Sequence, residues 1–130
     1  MELRQDQAQK DFQAALKYHP NSQDLQYWLA FAFKEQKQYK KASRLLHRLT
    51  SKYPKKASYF YLLGITEGKS GKLASGHLAM GRYYGLIQDH GNANWHLDEA
   101  IRLYPHNSSG KRNAQEAKRR LRGRGDKVSK

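Results

Sequence analysis

The amino-acid sequence resembles itself at a shift of about 34 residues, and this repeat constrains the fold more than any other feature. The matched positions hold small residues, large apolar residues or prolines: Ala8 with Ala42, Phe12 with Leu46, Pro20 with Pro54, Leu29 with Leu63, Ala30 with Gly64, Ala42 with Gly76, and Leu46 with Met80. Small residues let neighbouring backbones approach, and large ones fill the remaining space. Such a period is typical of repeats that cannot bury their apolar faces singly and therefore stack.

Within one period the sequence predicts two helices, at residues 23–36 and 39–52, with a short polar turn at Lys37–Gln38. The first apolar stripe consists of Leu25, Trp28, Leu29, Ala32 and Phe33, and the second of Tyr39, Ala42, Leu45, Leu46 and Leu49. Asn21 and Ser22 are N-cap candidates because their side-chain oxygens can accept a hydrogen bond from a backbone N–H. Pro54 ends the second helix, since it has no N–H and disfavours helix at the residue before it.

The same pattern extends along the chain and predicts an all-α fold, a superhelical solenoid of antiparallel helix pairs with about seven helices. The expected segments are a half repeat at 3–18, a pair at 23–52, a pair at 57–88, a repeat at 73–104 that shares a helix with that pair, a terminal helix at 109–122, and a disordered basic tail at 123–130. The shared helix follows from the separation of Gly76 and Ala93 along the chain, which is half of the period. Asn107 or Ser108 caps the terminal helix.

The repeated positions resemble the signature of the tetratricopeptide repeat, which has this period. Leu29–Ala30 and Leu63–Gly64 are similar to the Leu-Gly pair of its first helix. Ala42, Leu46 and Pro54 are similar to the Ala, Phe and Pro of its second helix. The resemblance implies helix pairs whose concave inner face binds other proteins.

Residues 57–122 resemble the C-terminal tetratricopeptide region of periplasmic BepA-like zinc metalloproteases. The similarity lies in Tyr61–Gly64, in Gly71–Lys72, in the segment SGHLAMGRYY at 75–84, and in Leu97, Ala100 and Ile101. The resemblance implies a non-catalytic appendage in the periplasm that docks substrates or outer-membrane assembly partners. The chain has no HExxH motif and opens in mid-repeat. We therefore expect a fragment, with any signal peptide and protease domain upstream.

Net charge is the second unusual property, because 25 Lys and Arg outnumber 11 Asp and Glu and give +14. Residues 1–110 hold 16 bases and 9 acids, and residues 111–130 hold 9 bases and 2 acids, so each part contributes +7. A basic tail of this kind either solubilises a chain terminus or contacts nucleic acid or another anionic surface. The sequence has no apolar run long enough for a transmembrane helix.

The residues do not predict an enzyme, a cofactor or a metal site. The chain has no cysteine, which excludes disulfides, thiolate zinc sites and thiol nucleophiles. No two of its six histidines have the i, i+4 spacing of a helical metal site, and His77 is expected to pack between helices. Gly68–Lys72 is similar to part of a phosphate loop, but residue 63 is Leu where the loop requires Gly, so a turn is expected.

The tetratricopeptide resemblance implies a peptide groove lined by the first helix of each pair. The groove set is Tyr27, Phe31, Lys34, Tyr61, Ile65, Lys69 and Arg82. Aromatic and aliphatic side chains supply apolar contact area, and the cations favour an acidic or amphipathic protein or peptide. The aromatic residues argue against a carboxylate clamp, and some of them could instead be buried between repeats.

Three functions follow from these observations. The first is a protein–protein interaction domain of a BepA-like periplasmic metalloprotease, although a cytoplasmic location stays open. The second is a general scaffold of a secretion or assembly system. The third is a binder of nucleic acid or an anionic surface through 111–130, in which nucleic acid is the less expected partner and affinity falls steeply with salt.

Overall fold

The predicted all-α fold is confirmed by the computed structural model, which describes residues 2–128 and the side chains of residues 6–123. Over that range the chain forms seven α-helices and no strand. They are α1 (Glu2–Tyr18), α2 (Gln23–Glu35), α3 (Tyr39–Lys52), α4 (Ala57–Lys69), α5 (Leu73–Leu86), α6 (His90–Leu103) and α7 (Ser109–Val128). No helix of this part of the chain is both long and apolar enough to cross a bilayer.

The helices divide into two compact units, Met1–Lys55 and Lys56–Lys130. In the first unit α2 packs against both α1 and α3. Its core is formed by Leu29, Phe33 and Ala42, with Phe12, Leu16 and Leu45 packed against them. Of the two predicted N-cap candidates, Ser22 caps α2, since its hydroxyl oxygen accepts the Leu25 N–H at 3.3 Å.

In the second unit α5 is the central helix, because it contacts α4, α6 and α7. The core of this unit consists of Leu78, Ala93, Leu97, Ala100, Ala114 and Leu121, with Tyr84, Ile101, Tyr104 and Ala117 packed against them. Ser108 rather than Asn107 caps α7, and its hydroxyl oxygen accepts the Lys111 N–H at 3.1 Å.

Three turns between helices each contain one residue in the left-handed backbone conformation: Lys37, Gly71 and Gln88. Their φ angles are 62°, 87° and 65°. Each turn is closed by a backbone hydrogen bond that spans five residues: Gln38 N–H to Phe33 O at 2.8 Å, Lys72 N–H to Glu67 O at 2.9 Å, and Asp89 N–H to Tyr84 O at 2.9 Å. These bonds form Schellman motifs, which satisfy carbonyls at the helix ends and reverse the chain. The first two turns lie one full period apart and the last two lie half a period apart, so the sequence period is also a period of the backbone.

Glycines allow α5 to lie close to α4 and to α6. An ideal Cβ on Gly64 would lie 2.6 Å from Met80 Sδ, which joins α4 to α5. A Cβ on Gly81 would lie 2.6 Å from Leu97 Cδ2, which joins α5 to α6. The second contact repeats the first after half a period. Each large side chain therefore occupies the space that a side chain at the glycine would need.

The terminal helix is longer than predicted. The sequence pattern predicts an end at 122 and disorder from 123, whereas α7 continues to Val128. Ala114 and Leu121 anchor the helix in the core of the second unit. Glu116 forms ion pairs with Arg119 and Arg120, at i, i+3 and i, i+4, which favour helix. Ser129 and Lys130, where the tail prediction also falls, lie outside the described residues.

His77 of α5 packs against His96 of α6, as predicted for a histidine between helices. Their Nδ1 atoms are 3.0 Å apart, so one ring donates a proton that the other accepts. The rings also contact each other, with centroids 5.2 Å apart. Burial lowers the pKa of His96 below its ordinary 6.5, and the charge of His77 lowers it further.

We expect Gly81→Ala to lower the free energy of unfolding by about 1–3 kcal/mol, because the new methyl group overlaps buried Leu97. Gly68→Ala is the matched control. It replaces another helical glycine, and no atom lies within 4 Å of its Cβ position. Alanine favours helix there by up to about 1 kcal/mol. Urea unfolding of both variants measures the difference, and equal stabilities would contradict the close packing of α5 on α6.

We expect the protein to lose stability as pH falls below about 6.5. Since the pKa of His96 is lowered in the folded state, the unfolded chain binds a proton that the folded chain does not bind. The stabilisation that comes from the lowered His96 pKa is complete at pH values above the pKa in the unfolded chain. It is lost as pH falls towards the pKa in the folded protein. His96→Phe keeps an aromatic ring and removes the titrating group, so its melting temperature should change less between about pH 7.5 and pH 5. The exposed His106→Gln is the control, and an undiminished pH dependence in His96→Phe would refute the assignment.

Candidate peptide-binding surface

In the first unit, α2 presents an aromatic face to solvent. Trp28 is the most exposed of its rings at 48%, and its centroid lies 5.3 Å from that of Tyr27 and 5.8 Å from that of Phe31. Both ring pairs are edge-to-face, the arrangement that aromatic quadrupoles favour. Burial raises the pKa of the half-buried Tyr27. The three rings form one patch, here called the α2 patch.

The exposure of Trp28 differs from the prediction, in which Trp28 belongs to the same apolar stripe as Leu29 and Phe33. Those two residues are buried, whereas Trp28 is half exposed. On a helix, residue 28 is three positions before residue 31, so its ring shares the face of Phe31 rather than that of the core. Both predicted groove residues Tyr27 and Phe31 therefore lie beside a third aromatic residue.

Lys34, the predicted cation of this helix, already has partners. Its Nζ lies 2.7 Å from Glu35 Oε1 and 4.7 Å from the centroid of the Phe31 ring. Only 10% of its side chain is exposed. Its charge is thus largely compensated within the unit, and the α2 patch offers aromatic area rather than a free cation.

In the second unit, the predicted residues of α4 lie four positions apart and share one face of the helix. Tyr61 is 43% exposed, Ile65 is half buried and Lys69 is exposed. The Tyr61 ring contacts that of Tyr83 on α5, with 4.9 Å between centroids. This face combines apolar area with a cation at its C-terminal end.

Arg82 is exposed on α5, but its guanidinium lies in crowded surroundings. Burial lowers its pKa, the charge of Arg120 on α7 also lowers it, and Tyr104 at the end of α6 opposes them. The Tyr104 pKa is raised, mainly by burial and further by the charge of Glu67. An arginine remains protonated at neutral pH in either case. Arg82 is therefore a cation held among residues of α6 and α7.

A continuous row of rings crosses the second unit from α4 to α6. It is defined by Tyr61, Tyr83, Tyr84, His96, His77 and Trp95, and is here called the aromatic row. Tyr84 stacks on His96 with an interplanar angle of 10° and 5.3 Å between centroids. Trp95 contacts both histidines, at 5.5 Å from His77 and 4.9 Å from His96. The row is most exposed at its two ends, where Tyr61 and Trp95 are 43% and 55% accessible.

Sequence reasoning identified only Tyr61 of this row as a site residue. In the sequence, Tyr83 and Tyr84 carry part of a family resemblance, and the histidines are candidates only for metal binding or packing. The signal was present in composition, since 12% of the residues are aromatic. Their alignment into a row depends on which faces of α4, α5 and α6 meet, and each face comes from a different part of the chain.

Residues 111–128 of the basic tail belong to α7 of the second unit. Several of its cations have acidic partners there: Lys118 pairs with Asp98, and Arg119 and Arg120 pair with Glu116. A shallow groove of about 320 Å³ beside α7 is lined by Ile101, Gln115, Lys118, Arg119 and Arg122. Ion pairing reduces the free positive charge that this helix offers to a polyanion.

Within residues 6–123, no three side chains of His, Asp or Glu come together in a geometry that could hold a metal ion. The His77–His96 pair has no third ligand of this kind in that part of the chain. The surfaces described above offer aromatic contact area and cations.

A family model described as a tetratricopeptide repeat matches residues 4–64. The matched segment contains α2 and α3, the pair whose Leu29, Ala30, Ala42, Leu46 and Pro54 carry the signature positions. A search of curated proteins finds no match. The family match supports a tetratricopeptide repeat protein, and such repeats generally mediate protein–protein interaction.

Proposed function

We propose that the chain is a protein-interaction module that binds peptide segments through its aromatic surfaces. The observation that carries the proposal is the aromatic row, whose exposed ends at Tyr61 and Trp95 are joined by ring contacts across three helices. The α2 patch offers a second surface of the same chemistry in the first unit.

Aromatic side chains suit this role for two physical reasons. Tyr and Trp bury a large apolar area at a small cost in side-chain entropy, and their polar atoms can hydrogen-bond to a peptide backbone. They are also the residues that most often dominate binding energy at protein interfaces. Because ring contacts already fix their orientation, little further ordering is required when a peptide binds.

The cations near these surfaces favour an acidic or amphipathic partner. Lys69 is exposed at the end of the α4 face, and Arg82 is exposed on α5. Lys34 adds little because Glu35 pairs with it. The preference for acidic segments is therefore expected in the second unit, where the aromatic row and the two cations occur together.

We further propose, from sequence resemblance alone, that this module belongs to a BepA-like periplasmic zinc metalloprotease. It would there dock substrates or outer-membrane assembly partners without taking part in catalysis. The resemblance covers residues 57–122, which form α4 to α7. The genomic reading frame tests this idea, since it should encode an HExxH motif and a signal peptide upstream of the present sequence.

The binding proposal is tested by selecting peptides from a display library on the full chain and measuring their affinities for variants. Trp95→Ala is expected to weaken the selected peptides by about 2 kcal/mol, or roughly 30-fold, because it removes the most exposed ring of the row. Tyr61→Ala should have a similar effect. Selected peptides should contain acidic residues.

Tyr18→Ala is the matched control, since Tyr18 is an aromatic residue with 83% exposure outside both aromatic surfaces. It should leave the affinities unchanged. Thermal melting of each variant shows whether the fold is intact. Peptides that bind Trp95→Ala and Tyr61→Ala as tightly as the parent chain would rule out the aromatic row as the binding surface.

A further inference from the structure

One face of α3 carries a row of cations that the charge analysis of the sequence did not single out. From residue 36 to residue 66 the chain has eight Lys and Arg and no Asp or Glu. Lys40, Arg44, Arg48 and Lys52 follow one another at four-residue spacing and are all exposed. These four residues are here called the basic row. The rise of an α-helix places them about 6 Å apart and makes the row about 18 Å long.

The opposite face of α3 fixes the direction in which the basic row points. Ala42, Leu46 and Leu49 are almost completely buried, and α3 packs against α2 within the first unit. The apolar side of the helix is therefore occupied by its own unit. The basic row is left facing solvent, and α3 has no free apolar face to insert elsewhere.

The basic row has no acidic partner among the side chains that the structure describes. The ion pairs of residues 6–123 involve other cations, on α2, α6 and α7. Like charges four residues apart weaken a helix. The row is thus unfavourable for α3 by itself, and a polyanion would convert this repulsion into attraction.

The composition of the row distinguishes between classes of partner. Protein interfaces are rich in aromatic residues and arginine and poor in lysine. The basic row has two arginines, but it also has two lysines and no aromatic or apolar side chain. Single-stranded nucleic acids are bound by stacking on exposed rings. Tyr39 and Tyr53, at the two ends of α3, are half buried, and the one exposed ring on this helix is that of His47. A single exposed imidazole is not a platform on which successive bases can stack. The row winds through about 120° around α3, and its long side chains can still reach a planar sheet of phosphates. Clusters of four to eight Lys and Arg on a helix are typical of binding to anionic lipids.

We propose that the basic row attaches the protein to an anionic phospholipid bilayer through electrostatic contact with headgroup phosphates, without insertion of α3. The long stems of Lys and Arg let each ammonium or guanidinium group reach a phosphate while the helix stays packed on α2. This inference is independent of the peptide-binding proposal, because it rests on α3 of the first unit and not on the aromatic row of the second.

The test is co-sedimentation of the full chain with vesicles of phosphatidylcholine, with and without about one third phosphatidylglycerol. The parent chain should bind only the anionic vesicles and should be released at high salt, because surface charges are screened. The variant Lys40→Gln, Arg44→Gln, Arg48→Gln should bind about 100-fold more weakly, since each cation near such a surface contributes roughly fivefold. Its melting temperature should be equal or higher, because like charges have been removed.

Two matched variants complete the experiment. Arg112→Gln, Arg119→Gln, Arg122→Gln removes the same charge from α7 and should retain binding within about fivefold. Arg44→Lys, Arg48→Lys keeps the charge of the row and should bind like the parent chain. Equal losses in the α3 and α7 variants would show that net charge alone is responsible and would overturn the proposal.

Two further outcomes would also overturn it. One is failure of the parent chain to bind anionic vesicles. The other is binding of a DNA duplex that depends on the basic row while vesicle binding does not, which would assign the row to nucleic acid. The α3 variant should keep its affinity for the peptides selected on the aromatic row, so failure of either proposal is distinguishable from failure of the other.

Discussion

Both units depend on large apolar side chains that pack onto small residues of a neighbouring helix. In the second unit Met80 occupies the space above Gly64, and Leu97 occupies the space above Gly81. The positions that correspond in the first unit, Ala30 and Leu46, are completely buried. Contacts of this kind bring helices close along a narrow face, and the remaining faces of each helix stay free to carry other chemistry.

The free faces differ in chemistry. The free face of α2 carries aromatic rings that contact one another, and so, separately, do the free faces of α4 to α6. Helix α3 carries cations and no acidic residue. The net charge of +14 is therefore less informative than its placement. In α7 several cations pair with Glu116 and Asp98, while on α3 the charge is left uncompensated among the described residues. The consequence of a cation thus depends on whether an acidic side chain lies beside it.

Much of the fold was predictable from local signals. The apolar stripe, the cap at Ser22 and the stop at Pro54 are read from neighbouring residues, and the structure places α3 at the predicted residues 39–52. The end of α7 was not predicted. Its described core contacts and ion pairs involve Ala114, Glu116 and Leu121, so they account for the predicted part of the helix and not for its continuation to Val128. Trp28 was placed in the core, since a stripe on one helix does not show which of its edges a neighbour covers.

The sequence by itself determined the helices and their period, because turn chemistry and apolar spacing act over a few residues and recur in each repeat. It also determined the small residues at which helices approach. Only the tertiary structure decided the aromatic row. Tyr61, Tyr84 and Trp95 belong to three helices, and their rings come together because Schellman turns and glycine contacts fix how those helices pack. A surface assembled from separate segments depends on that packing, which no single segment encodes.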